Sequence, residues 1–297
     1  MVENKSVMSC IRLVFTYLIV ILAGIICFFP MWNMLCLSFS SSAAITADKV
    51  ILLPVDFHLG SYKEILSDSQ FWRSFLISII RVAFGWSINI VVMVLMAFPL
   101  TRTKEEFPAR GIYMGLLIFA MLFNGGMVPT YLVVKQLGLI NTIWGLVLPS
   151  AVPIFNVIMV KNFFLGIPTS LEEAAKMDGA TPLQILTRVY IPCSKPVIAT
   201  VSLFSIVGHW NDYFTGLIYM TKVKFYPLMS YIQSISVDLQ QLVEDGASAD
   251  ELEAAAQINN MGLNAAKIVV ATVPLLMIYP LLQKYLITGI TIGAVKE

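Results

Sequence analysis

Along the chain, apolar residues do not alternate with polar ones; they run together in six long stretches, at about 13–37, 75–100, 112–134, 143–164, 197–220 and 265–287. A helix needs about 20 consecutive apolar residues to cross the hydrocarbon core of a bilayer. The pattern therefore predicts an all-α integral membrane protein with six transmembrane helices, its spans contained in a domain over 13–288. The first stretch far exceeds the h-region of about 7–15 residues found in a secretory signal, so it is expected to remain as a span.

Six spans put both termini on one side, and Lys and Arg decide which. With the N-terminus inside, the inner segments hold eleven: Lys5, Arg12, Arg102, Lys104, Arg110, Lys161, Lys176, Arg188, Lys195, Lys284 and Lys296. The outer segments hold seven: Lys49, Lys63, Arg73, Lys135, Lys222, Lys224 and Lys267. The bias favours N-in/C-in, with cytoplasmic tails at 1–12 and 289–297 and long external loops at 38–74 and 221–264. The acidic run 237–260 reads as a solvated loop or short helix, or as a partner contact. Gly125, Gly126 and Pro129 interrupt the third stretch, Pro149 and Pro153 the fourth, and Pro274 and Pro280 the sixth. Straight rods are not expected there. Irregular backbone at membrane depth is tolerated where protein buries it or where it lines a cavity, although prolines also kink helices simply to pack them.

Composition agrees: 58% hydrophobic residues, 12% charged and a mean hydropathy of +0.82, against roughly 25% charged in a soluble chain. A net charge of +1 without a Lys/Arg stripe argues against nucleic-acid binding. Cys10, Cys27, Cys36 and Cys193 form no CxxC pair and no zinc spacing with histidine, and read as small buried hydrophobes. No metal or cofactor site is expected. A membrane-embedded enzyme would need paired catalytic groups near the midplane. With His58 and His209 as the histidines and no Ser/His/Asp, HExxH or paired-carboxylate pattern in the spans, that reading is weak.

The inner segment 166–195 is the most structured polar part of the chain. Ser170 and Glu173 read as a capping box, with Thr169 and Glu172 as the alternative register, so a helix is expected to start there. Gly179 stops it; Thr181 and Pro182 supply the N-cap and first turn of a second short helix, which Pro192 is expected to end. Leu171, Ala174, Ala175 and Asp178 adjoin on the first helix as a face another surface could approach closely. Capping and spacing do not separate a docking element from a plain connector.

This stretch resembles the cytoplasmic motif of permeases in binding-protein-dependent ABC importers: Glu-Ala-Ala, three residues, Gly, nine residues, then an aliphatic residue, any residue and Leu-Pro. The match falls on Glu173, Ala174, Ala175, Gly179, Val189, Ile191 and Pro192, with Val189 and Ile191 in place of the usual Ile and Leu. Further stretches, Phe123 to Tyr131, Leu137 to Asn141, His209 to Tyr213 and Gly289 to Lys296, are similar to the carbohydrate branch, and most to the second permease of oligosaccharide and polysaccharide-fragment importers. The resemblance implies the type I importer permease fold and coupling of Glu172, Glu173, Ala174, Ala175, Asp178, Gly179 and Pro192 to the groove of an ATPase subunit. It also implies a homologous partner permease, two ATP-binding subunits that carry ATP and Mg, and an extracytoplasmic sugar-binding protein. A tail beyond 287 would reach the interface of the ATPase subunits. No Gly-x-x-x-x-Gly-Lys-Ser/Thr pattern occurs in the chain, so it is not expected to bind ATP itself.

Ionisable groups in spans cost free energy and face a partner or a water-filled cavity. Arg81 reads as structural, paired with the partner permease. His209, Trp210, Asn211, Asp212 and Tyr213 combine aromatic faces with amide and carboxylate groups, as sugar sites do; a polar cluster that packs helices is the equal alternative. Asn124, Tyr131 and Asn156, in the broken third and fourth stretches, are further candidates for a substrate path. The coupling motif also serves importers of peptides, phosphate and metals, which the carbohydrate-branch stretches argue against; a membrane scaffold would leave the coupling segment unexplained.

Overall fold

A computed structural model describes residues 7–235 and 261–294, with side chains over 12–234 and 261–280 and at 283. The acidic run 237–260 and residues 295–297 of the tail lie outside the described residues. No strand occurs among the described residues. Two compact units organise the chain, one drawn from Met1–Ser69 and Ile235–Thr272, the other from Gln70–Ser234 and Val273–Glu297.

In the first unit α1, Val7–Ser38, is an uninterrupted apolar helix despite Pro30. Its described side chains stay exposed as far as Trp32, as suits a helix whose solvent is lipid. Burial begins at its C-terminal end, where Cys36 packs with Ala44 and Val50. The Trp32 indole N–H donates to the carbonyl of Leu52 at 2.8 Å, and the Asn33 amide to that of Ile51 at 3.0 Å. The following α2, Ser42–Thr46, is capped by Ser41, whose hydroxyl accepts from the Ala44 N–H; α3, Gly60–Ser67, has no side-chain cap. Among the cysteines whose side chains are described, the expectation holds for Cys36, whereas Cys27 and Cys193 are exposed. An apolar side chain in a bilayer need not enter a protein core, because lipid tails are as apolar as leucine.

The second unit is built around α4, Ser69–Ala97. Its buried face reads Phe71, Ser74, Ser78, Arg81, Gly85, Asn89, Met93 and Ala97, steps of three and four that follow one helical stripe. Small and polar residues fill it, which lets neighbouring backbones come close; Leu76, Ile79, Phe84 and Val91 point outward. The third apolar stretch is broken, as its glycines predict, into α5, Arg110–Leu122, and α6, Met127–Gln136, at 114° to each other. Gly126 at the break holds φ +92°. The fourth is α7, Ile143–Val147, a 3-10 turn through Pro149, then α8, Ile154–Phe164, bent by 51° with Pro153 at the N-cap.

The inner segment forms α9, Thr169–Met177, and α10, Pro182–Ile185, then a π-helical turn, Leu186–Tyr190, and α11, Ile191–Cys193. Beyond an 84° bend follow α12, Lys195–Asn211, and then α13, Phe214–Tyr219, and α14, Leu228–Ile235. Two expectations are corrected. The N-cap of α9 is Pro168 and carries no side-chain hydrogen bond, so neither the Ser170–Glu173 nor the Thr169–Glu172 box forms; the Glu172 carboxylate is engaged elsewhere. Pro192 does not end the second helix, because it sits in the first turn of α11, where a missing N–H costs nothing. The chain bends two residues later, at Ser194.

The sixth stretch, α15, Met261–Ala294, runs as one helix with Pro274 and Pro280 inside it, where a break was expected, and continues past 287 into the tail. Among the described residues, three helices are long and apolar enough to cross a membrane, or up to six spans if each bent pair is one. The core of the second unit joins Met93, Ala97 and Phe98 to Val157, Val160 and Phe164 of α8, Leu186 and Tyr190 of the π-turn, and Val197 and Val201 of α12.

Candidate functional site

The segment 169–193 presents a helix, a turn and a second helix. The turn is a Schellman motif: the Ala180 N–H donates to the Ala175 carbonyl and the Gly179 N–H to that of Lys176, both at 3.0 Å, with Gly179 at φ +75°. A Cβ at Gly179 would meet nothing, so glycine is favoured there by backbone conformation alone. The second helix starts on a reciprocal capping box: the Thr181 N–H donates to the Gln184 side chain at 2.8 Å, and the Thr181 hydroxyl accepts from the Gln184 N–H at 3.4 Å.

The two adjacent glutamates face opposite ways. Glu173 is exposed with Ala174, Asp178, Gly179 and Pro192, and Ala175 is half-buried against the core. Glu172 is buried. Its carboxylate accepts from Arg102, from the Tyr190 hydroxyl at 2.5 Å and from Lys176 at 2.9 Å; Lys176 also reaches Glu106 at 3.0 Å. The Arg102 guanidinium lies over the Phe98 ring at 4.3 Å. Burial by itself raises the Glu172 carboxyl, but the hydrogen bonds from Arg102, Tyr190 and Lys176 outweigh it and hold the group down at about 2. The exposed face thus keeps most of the expected coupling residues, whereas Glu172 points into the protein. Sequence reading missed Met177, 88% exposed, and Leu183, 62% exposed, beside Glu173 and Gly179. An apolar residue on the water side of an otherwise polar helix was the available signal.

A second cluster lies within the apolar stretches. Arg81, fully buried, donates to the Asp212 backbone carbonyl at 2.7 Å, to the Asp212 carboxylate and to the Thr215 hydroxyl at 2.8 Å. Arg81 thereby finds a carboxylate partner within its own chain. Asp212 sits where α12 breaks before α13 and accepts from the Thr215 N–H at 3.1 Å. About two turns further along α4, the Asn89 amide donates to the Ser150 and Ala151 carbonyls at 2.8 and 2.9 Å, satisfying backbone freed by the break in the fourth stretch. Its oxygen accepts from Ser205 at 2.6 Å and contacts His209 Nε2 at 2.8 Å. The carbonyls fix which end of the amide is NH2, so the His209 proton at this contact is on Nε2. Gly85 passes so close to that ring that a Cβ would overlap it.

The cluster unites Arg81, His209 and Asp212, and neighbouring Trp210 is buried edge-on to Phe75 at 5.7 Å. Asn211 and Tyr213 are exposed. Three other candidates lie elsewhere: exposed Asn124 accepts from the Gly126 N–H at 2.9 Å, Tyr131 stacks with Tyr219 at 6.4 Å, and Asn156 is buried in α8. Asn89, Ser205 and Thr215 were not anticipated. The polar and small residues at helical spacing on α4 were the signal, and it stood in plain view.

No protein-family model matches the chain. It is 37% identical over 282 residues to the polygalacturonan/rhamnogalacturonan transport system permease protein YtcP of Bacillus subtilis, covering 94% of this chain and 96% of that protein. It is 28% identical over 287 residues to the melibiose/raffinose/stachyose import permease protein MelC of the same organism, covering 94% and 96%. A chain from the crystal structure of a bacterial ABC transporter involved in the import of the acidic polysaccharide alginate aligns with a TM-score of 0.82 and 32% identity, over 94% of this chain and 98% of that one. Such permeases are transport subunits that work with binding-protein and ATPase partners. The helical architecture, the helix-turn-helix that matches their cytoplasmic motif, and this similarity over nearly the full length make the chain a member of the carbohydrate branch of ABC importer permeases.

Proposed function

We propose that this chain is one of two permeases in an ATP-driven importer of oligosaccharides or polysaccharide fragments, set in a bacterial cytoplasmic membrane. The observation that carries the reading is the segment 169–193, whose rigid turn holds Glu173, Ala174 and Asp178 on an exposed face, with Met177 and Leu183 as apolar contacts for a partner. That face docks in a groove of an ATPase subunit, and ATP and Mg bind in the ATPase subunits rather than in this chain. Three long helices and three bent pairs support six spans with both termini in the cytosol. A partner permease of similar fold supplies the other half of the path, and an external binding protein delivers the sugar. ATP binding biases the assembly between inward-facing and outward-facing states, which requires docking to differ in free energy between them. Of the proteins named above, one is a polygalacturonan/rhamnogalacturonan transport permease and one belongs to a transporter involved in the import of the acidic polysaccharide alginate, which favours acidic oligosaccharides as first candidates.

The direct experiment is ATP hydrolysis by the co-expressed complex in lipid, with oligogalacturonides, alginate oligomers, raffinose or peptides loaded on the cognate binding protein. Stimulation by an oligosaccharide that disappears in Glu173→Lys is the expected result. Stimulation by peptides alone would move the chain to another importer branch.

A further inference from the structure

We propose that Glu172, Arg102 and Tyr190 form a fastener that carries movement of α9 into α4, making them positioning residues for transport. The inference rests on the reading that the α9 face docks on the ATPase. As a nine-residue helix, α9 is too short to hold its own direction in water. Among its side chains Glu172 is the buried one, with Ala175 half-buried beside it. Besides the exposed Lys176–Glu106 pair, its attachment therefore runs through one buried carboxylate, and the groups that bind it come from two directions. Arg102 follows the 3-10 turn Pro99–Thr101 that prolongs α4, and Tyr190 closes the π-turn that leads into α11 and α12. A π-turn displaces every later side chain around the axis, and here the displaced hydroxyl lands on the carboxylate.

The other end of this linkage is the cluster in the spans. Arg81 and Asn89 stand on the same buried stripe of α4 that ends near Arg102, and they hold the breaks at Asp212 and at Ser150–Ala151. From Arg81 to Ala97 is about 24 Å of continuous helix at 1.5 Å per residue. A displacement of α9 pulls on Arg102, and α4 delivers it as a rigid body to the broken helices. Charge-assisted hydrogen bonds suit this task, because a buried carboxylate that loses them has no cheap alternative.

The test uses the whole complex in lipid, with Cys10, Cys27, Cys36 and Cys193 replaced by serine and a reporter thiol at Tyr213→Cys, beside the Asp212 break. Its maleimide labelling rate is read with and without a non-hydrolysable ATP analogue and Mg, so that no sugar need be known. In the parent, the nucleotide is expected to change the rate. In Glu172→Gln the complex is expected to keep its ATPase subunits while the nucleotide-dependent change falls at least about tenfold. The exchange Glu172→Arg with Arg102→Glu should restore much of it, and Tyr190→Phe, which removes only a hydroxyl and is safe for folding, should weaken it about two- to threefold. A full response in Glu172→Gln and Tyr190→Phe would overturn the proposal. So would loss of the ATPase subunits in Glu172→Gln, which would make the residue part of docking, or a parent that shows no response. Glu173→Lys separates the two readings: if it keeps both ATPase subunits and response, the docking assignment fails, whatever Glu172 does.

Discussion

The buried stripe on α4 carries one arginine paired with a carboxylate, Arg81, and a second such arginine, Arg102, follows just past the end of the helix, yet the two pairs are built differently. Arg81 is sealed among helices, and its carboxylate partner also caps the start of α13. Arg102 lies past the end of α4, where Glu172 is shared with Tyr190 and with the half-exposed Lys176, which in turn holds Glu106. The first pair has one geometry, enforced by backbone breaks that need its hydrogen bonds. The second belongs to a connected chain of charges that ties α9 to the residues following α4. Equal chemistry thus serves fixity in one place and transmission in the other, and the surroundings decide which.

The largest effect that sharpens this contrast is expected from Arg81→Leu. Removing one partner of a buried pair leaves an uncompensated charge and costs on the order of 3 kcal/mol. The detergent-solubilised protein should melt lower, and adding Asp212→Asn should recover part of the loss. A melt unchanged from wild type would remove the distinction between the two pairs. Asn89→Leu comes next, at about 1–3 kcal/mol, because it strips the Ser150 and Ala151 carbonyls of their donor and leaves the Ser205 hydroxyl and His209 without their acceptor. Glu172→Gln should cost less stability than Arg81→Leu while costing more in nucleotide response.

A pH series isolates the Glu172 pair further. Its carboxyl is held at about 2 against an ordinary 4.5, so the unfolded chain binds the proton first as pH falls. The stability difference between wild type and Glu172→Gln should be flat above pH 4.5 and shrink from there toward about pH 2, as linkage requires. A difference that grew on acidification would contradict the described ion pair. The smallest effect is that of Gly179→Ala, about 1 kcal/mol, since the space is open and only the positive φ resists; Gly179→Pro would be far worse, as φ is then excluded.

What could be read in the chain follows range. The N-cap at Thr181 and the helix stop at Gly179 were legible because their partners lie within five residues. The break after Phe123 was legible too, since Gly125, Gly126 and Pro129 sit together. By the same logic, the Ser170–Glu173 box misled: the residues had the right spacing, but a tertiary competitor took the neighbouring Glu172 and Pro168 closed the helix. Pro274 and Pro280 misled in the opposite sense, since both are carried inside α15 without a break.

By itself, then, the sequence determined that this is a helical membrane chain, where several of its helices break, and which short segment carries the family's cytoplasmic motif, because hydrophobic length, glycine and proline conformation, and capping are local properties. Tertiary structure alone decided that Glu172 turns inward while Glu173 stays out, that Arg81 closes on Asp212, and that Asn89 feeds the broken fourth stretch. Those partners are 70, 131 and 61 residues apart. A buried charge takes whichever opposite group the packing of helices brings within reach, and no local pattern encodes which one that is.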